Sequence, residues 1–247
     1  MSRVGVAGRI PDIEGNVMNS RRSLLGIGAV LVVSAGAGAL WYSRSASSPI
    51  AGTPPAGAAP GVAAASAEGP MGERAIGRVD APVVVREFFS LTCSHCANFH
   101  RDTMPRVKKD LVDTGLVRFV FHDFPLDQIA LMAAAVARSL PASSYDPFVT
   151  ALLASQERWA FARGVNTTEE LAKMAALAGL SRENFDVAVA DEALRSAILK
   201  ARDEAGRSYG IESTPSFVFN GPGAKNRKEA GARPYEEFAR LVHQAAG

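Results

Sequence analysis

The order strand, helix, strand, helical block, hairpin and helix predicts an α/β fold with an all-helical insertion between the second strand and the C-terminal hairpin. Three observations carry this. Val83-Val84-Val85-Arg86-Glu87-Phe88-Phe89 and Leu116-Val117-Arg118-Phe119-Val120-Phe121 are β-branched and aromatic runs of buried-strand character. Between them lies a segment of helical pattern. From about residue 127 to 210, Ala-rich stretches and helix-cap residues follow one another with no strand signal. The 247 residues permit one ordinary domain or two small ones, and 47% hydrophobic with 21% charged residues describes a globular chain with a sufficient core.

Taken in order, Ala81-Pro82 leads into a strand over 83–89, and a short turn follows. Residues 95–112 read as a helix with Ala97, Phe99, Val107 and Leu111 on its inner face, kinked at Pro105, which lacks a backbone donor. The second strand, 116–121, ends at His122-Asp123-Phe124-Pro125. Helical character resumes over 127–140 and 147–159. Thr167-Thr168-Glu169-Glu170 supplies a capping box ahead of Leu171, Met174 and Leu177. Ser181 and Asp191 cap two more helices, the last reaching about Tyr209. Ser216-Phe217-Val218-Phe219 returns to strand, Asn220-Gly221-Pro222-Gly223 turns, 225–229 pairs back, and 234–246 closes the chain as a helix.

The N-terminal quarter has a different composition. Ser20-Arg21-Arg22-Ser23-Leu24-Leu25 opens an apolar run to Trp41, with no charge from Ser23 through Tyr42. This divides the chain into a cytoplasmic leader and n-region (1–22), a signal-peptide h-region or membrane anchor (23–42), a flexible Ala/Gly/Pro/Ser linker (43–74) and a folded domain (75–247). The arginine pair favours a cytoplasmic N-terminus and is similar to a twin-arginine signal, with Leu24 in place of the usual Phe. Cleavage near Ala65-Ser66-Ala67 and retention as an anchor both stay open, as does a start at Met18 instead of Met1.

A net charge of +2, with basic residues spread among acidic ones, argues against nucleic acid as a partner. Both cysteines of the chain sit in Cys93-Ser94-His95-Cys96. A disulfide closing so short a loop constrains the unfolded chain very little, so chemistry explains the pair better than stapling. A Cys-X-X-Cys between a strand and a helix makes an exchange-competent thiol pair. The competing metal readings are weak: a zinc half-site lacks a second cysteine pair, and copper would need one of the histidines as a further ligand. No cofactor or metal is expected.

The segment Glu87-Phe88-Phe89-Ser90-Leu91-Thr92-Cys93-Ser94-His95-Cys96 resembles the active site of DsbA-like thiol:disulfide oxidoreductases, thioredoxin-fold proteins of the bacterial envelope. The resemblance covers about residues 75–245. It implies a thioredoxin fold with the helical insertion, a redox pair at Cys93 and Cys96, a buried acid at Glu87, and a cis-proline loop at Thr214-Pro215 that faces the disulfide and receives substrate peptide. Two positions depart from common members. Ser94 stands where many have Pro, and Thr214 where the best-known oxidases have Val and several isomerases Thr. Both positions tune redox poise in the family.

Physical chemistry gives roles to match. Cys93, at a helix N-terminus, faces unpaired N–H groups and the positive end of the helix dipole, with His95 as an added donor or charge. Such thiols ionise at roughly 3.5–7.5 instead of about 8.5. Cys96, one turn in, would resolve the mixed disulfide; Glu87, inside a Val-Phe strand, reads as an edge or exposed acid or, where buried, as one suited to proton transfer to Cys96. His100, His122 and His243 are expected at the surface or in packing, with His100 partly exposed. Phe88, Phe89, Phe217 and Phe219 are read as core. Trp159 with Phe161 is read as either core or the lining of a peptide groove, and Lys225, Arg227, Lys228 and Arg233 as a solvated hairpin.

The function expected is an envelope oxidase that transfers its disulfide to exported proteins bearing free thiols and is recycled by a membrane redox partner. The alternatives are an isomerase or reductase kept reduced by such a partner, or a copper metallochaperone. Residues 43–70 are too rich in Gly and Pro for the coiled coil that an isomerase of this kind would use to oligomerise.

Overall fold

The computed structural model describes residues 69–247. The leader, the apolar run 23–42 and most of the linker lie outside the described residues. Among those described, no helix is long and apolar enough to cross a membrane.

The described residues form one five-stranded sheet in the order β1-β3-β2-β4-β5. Its strands are β1 (Arg74–Ile76), β2 (Val83–Phe89), β3 (Val117–Asp123), β4 (Ser216–Gly221) and β5 (Ala224–Ala230). β2 runs parallel to β3, and the other pairs are antiparallel. A parallel pair needs a crossover, and the helix after the cysteines provides it. β1 has no counterpart in the sequence reading, because three residues are too few to show a period. In the register, Glu87 lies opposite Phe121 on one side and Phe217 on the other, so it sits at the middle of the sheet.

Alternation along the strands separates two cores. Val83, Val85 and Phe89 join Phe119, Phe121, Phe217 and Phe219 in the main core, while Phe88 and Val218 join Phe124, Ala205 and Ile211 in a smaller one. The expected core phenylalanines are all buried. α1 (Ser94–Asp102) and α9 (Tyr235–Ala246) meet the main face through Phe99, whose ring lies 4.6 Å from Phe217 and 5.5 Å from Phe238.

The helix expected over 95–112 is broken two residues before its proline. α1 ends at Asp102 and is capped by Thr103, whose hydroxyl donates to the Arg233 carbonyl at 2.8 Å. α2 (Met104–Val107) then carries Pro105 in its first turn, where no intrahelical donor is required, and runs on as a π-helical turn, Lys108–Val112.

The insertion comprises α3 (Gln128–Arg138), α4 (Ala142–Ala154), α5 (Gln156–Trp159), α6 (Thr167–Leu177), α7 (Arg182–Ala190) and α8 (Glu192–Tyr209). Ser181 and Asp191 cap α7 and α8 as expected. Two expectations need correction. α4 begins at Ala142 and carries Pro147 in its second turn at the loss of one backbone bond. The cap of α6 is Asn166, just before the expected capping box, and its side chain accepts from the N–H groups of Thr168 and Glu169. Gly210 ends α8 in the left-handed region, with φ +65°, and turns the chain toward β4.

A buried polar knot fastens the insertion to the sheet. Arg138 of α3 is ion-paired with Asp123 at the end of β3, and the Tyr145 hydroxyl of α4 donates to the same carboxylate at 2.8 Å. Arg74 of β1 donates to the Arg138 carbonyl at 3.1 Å. Replacing Asp123 with Ala strands the buried guanidinium of Arg138 and should lower stability by about 3–5 kcal/mol. Denaturant unfolding measures this, and a midpoint unchanged from the parent protein would refute it.

Candidate active site

β2, the central strand, ends at Phe89, and Ser90-Leu91-Thr92 turns the chain into α1. Cys93 is the N-cap residue of α1: its backbone is extended, and its carbonyl accepts the Ala97 N–H at 3.1 Å. Its sulfur therefore lies beside the unpaired N–H groups of the first helical turn. The Cys93 ionisation is lowered to about 5. The Cys96 thiol is the largest cause; burial opposes it, and the Thr214 side chain and the N–H groups of Cys96 and His95 assist. Cys96 behaves oppositely. It is fully buried, and burial, its hydrogen bond with the Cys93 sulfur and the charge of Glu87 push its thiol well above the usual range. Two cysteines three residues apart thus have opposed ionisations, one anionic and one held protonated.

The loop before β4 faces this pair. The Thr214–Pro215 bond is cis, and the Thr214 carbonyl accepts from Cys93 Sγ at 3.3 Å. The buried Thr214 hydroxyl has no partner among the described residues, and the Thr214 side chain favours the ionised form of Cys93. Pro215 anchors the loop through its carbonyl, which accepts the Gly231 N–H at 2.8 Å.

Polar side chains of the insertion hold the active-site loop. Gln156 of α5 is buried and donates to the carbonyls of Leu91 at 2.8 Å and Cys93 at 3.1 Å. The Thr92 hydroxyl donates to Asp127 at 2.7 Å, and Asp127 also caps α3 by accepting from the Ala130 N–H at 2.8 Å. Sequence reasoning missed Gln156. A glutamine within a helical stretch carries no periodic signal, and only the fold brings it to the cysteines.

Ser94 and His95 are exposed, and His95 supports the Cys93 thiolate through its backbone N–H. Glu87 is fully buried under the pair. The expectation for His100 is overturned: it is buried, with Nε2 2.9 Å from Glu87 Oε2. Four residues beyond Cys96, it lies on the same inward face of α1. His122 stacks on Phe88 at 4.9 Å, and burial lowers its ionisation to about 4. His243 is exposed on α9. Trp159 is core, with its indole N–H bonded to the Leu152 carbonyl at 2.8 Å, so it lines no groove with the half-exposed Phe161. Lys225, Arg227 and Lys228 line the solvated edge strand, and Arg233 follows it with an ion pair to Glu237. Among the described residues, no three His, Cys, Asp or Glu side chains converge as metal ligands.

This fold and site define a DsbA-like thioredoxin-fold protein. A family model described as Thioredoxin matches residues 70–243, and the chain belongs to that family. Alpha-DsbA1 of Wolbachia pipientis superposes with a TM-score of 0.65 at 27% identity, covering 70% of this chain and 90% of that one. Oxidised BdbD of Bacillus subtilis shares the fold, with a TM-score of 0.60 at 22% identity over 71% of this chain and 94% of that one. A candidate protein-disulfide oxidoreductase of Rickettsia typhi is 28% identical over 152 residues, or 61% of this chain. The match spans 56% of that protein, so the chain covers about half the length of the curated relatives it matches.

The ionisation of Cys93 gives a pH dependence with a definite sign. Only the thiolate reacts, so iodoacetamide alkylation of the reduced protein should be level near neutral pH and fall about tenfold per unit once the pH drops below about 5. Thr214→Val, which removes the hydroxyl but not the carbonyl, should shift this profile to higher pH. A coincident profile would show that the hydroxyl does not stabilise the thiolate.

Proposed function

We propose that this protein is a thiol:disulfide oxidoreductase that passes the Cys93–Cys96 disulfide to substrate proteins. The observation that carries the reading is the asymmetry of the pair: Cys93 is lowered to about 5 beside a fully buried Cys96 whose thiol is raised. A stabilised thiolate favours the reduced form, and so makes the disulfide a willing electron acceptor. A substrate thiolate attacks Cys93 Sγ, the Cys93–Cys96 bond breaks, and Cys96 leaves and takes up a proton. A second substrate thiolate then attacks the substrate sulfur of the mixed disulfide and expels Cys93 as its thiolate. Two electrons pass from the substrate dithiol to the cysteine pair.

Thr214 and Pro215 supply the docking edge in this scheme. The Thr214 backbone lies against Cys93, so an extended peptide pairing with it places a cysteine beside the reacting sulfur. Ser94, exposed next to Cys93, and Thr214 set the redox poise. Glu87 serves the proton of Cys96. The substrates are exported proteins with free thiols, and a membrane redox partner restores the disulfide. The charged and apolar opening of the chain supports this setting on the periplasmic side of the inner membrane, through either a signal peptide or an anchor.

Equilibration with glutathione tests the direction. The oxidase reading expects a potential well above thioredoxin's value of about −270 mV, and a value near that figure would make the protein a reductase or an isomerase instead. Cys93→Ser should abolish disulfide transfer, whereas Cys96→Ser should accumulate mixed disulfides visible on non-reducing gels. Transfer that survives in Cys93→Ser would remove Cys93 from the nucleophile's role.

A further inference from the structure

Under the cysteines lies a pair of ionisable side chains from two different elements. Glu87 reaches in from β2 and His100 from α1, with Oε2 and Nε2 2.9 Å apart and side chains 0% and 2% exposed. Each has one further polar atom buried without a partner among the described residues: Oε1 of Glu87 and Nδ1 of His100. The rings of Phe89, Phe99 and Phe121 surround the imidazole, with centroids 5.8 to 6.4 Å away. An apolar setting penalises a lone charge heavily but tolerates a carboxylate and an imidazole that share one proton and carry no net charge. Cys96, fully buried next to this pair, feels the charge of Glu87. Its sulfur must gain a proton whenever the disulfide opens and lose one whenever it closes, at a place closed to solvent.

We propose that His100 is a positioning residue which, through Glu87, stores the proton that Cys96 exchanges on each redox cycle. The inference rests on the exchange chemistry proposed above and deepens it. On opening, an incoming thiolate forms a bond to Cys93 Sγ and breaks the Cys93–Cys96 bond. The Cys96 thiolate takes the shared proton, leaving neutral His100 beside the Glu87 carboxylate. On closing, Cys96 returns that proton to the pair as its sulfur attacks Cys93 and expels the thiol partner as a thiolate. Charge and atoms balance in both directions.

Other titratable groups near the pair are few. Cys93 and Cys96 share its helix. Asp123, Arg138 and Tyr145 are bonded to one another toward the end of β3. Arg86 and His122 interact on the opposite face of the sheet, and α9 brings only apolar side chains such as Phe238 and Leu241 to this core.

The test uses the full-length protein, its variants His100→Gln and Glu87→Gln, and glutathione as the thiol. Glutamine at position 100 keeps an N–H for the Glu87 carboxylate but cannot titrate. The rate at which a glutathione mixed disulfide on Cys93 closes onto Cys96 is followed against pH, and His100 ring nitrogen shifts are recorded by NMR in oxidised and reduced wild-type protein. We expect the wild-type closing rate to show an inflection with pH, and the His100 ring shifts to differ between the two redox states. His100→Gln should erase the inflection and slow closure at pH 7 on the order of tenfold or more, within the range of general acid–base effects. Glu87→Gln should do the same, and alkylation of Cys93 in both variants should stay as fast as in wild type, which reports an intact fold. A His100→Gln profile that overlays the wild type, or ring shifts identical in the two redox states, would overturn the inference. A wild-type protein that never closes the mixed disulfide would overturn the exchange reading alone, because the ring shifts still decide the role of His100.

Discussion

β2 is hydrogen-bonded to β3 on one side and to β4 on the other, and the positions of Glu87, Cys93 and the Thr214 carbonyl follow from that double pairing. The strand fixes Glu87 at the centre of the sheet and aims the chain at the start of α1, where Cys93 takes the cap position. The same register sets the beginning of β4, and with it the Thr214 carbonyl, against Cys93 Sγ. Residues 87–93 and Thr214, far apart in sequence, meet through one strand. A slip of one residue in β2 would send Glu87 to the opposite face and break the arrangement.

Much of the fold was legible because the strands are strong and their neighbours are punctuated. β2 falls where its valines and phenylalanines predict it, and Ser181 and Asp191 mark helix starts by chemistry that needs no tertiary context. β1 escaped because three residues show no period, and α4 because Pro147 reads as a beginning when the helix has already run a full turn. The cysteines, the acid and the cis-proline loop were visible as motif and resemblance. The residues that hold them were not. His100 looks like a surface histidine until the helix is drawn with Cys96 on its inner face, and Gln156 is a polar residue in a helical block until the insertion folds back over the loop.

The insertion therefore does more than cover the sheet. Gln156 of α5 and Asp127, the cap of α3, satisfy polar groups of the loop that no element of the sheet reaches. Asp123, Arg138 and Tyr145 fasten α3 and α4 to β3, so the insertion that holds the loop is itself anchored. The geometry around Cys93 is shared between sheet and insertion, and neither alone would fix it.

The unequal burial of the two sulfurs also limits how the protein can be caught. A foreign thiolate arriving from solvent meets Cys93 at the rim, while Cys96 is walled off behind it. Every adduct formed by direct attack then has one attachment point and one orientation. Its remaining escape is through a neighbour already lying alongside. A crowded mixture of thiols can occupy this site in only one way, and each occupant can be ejected from within.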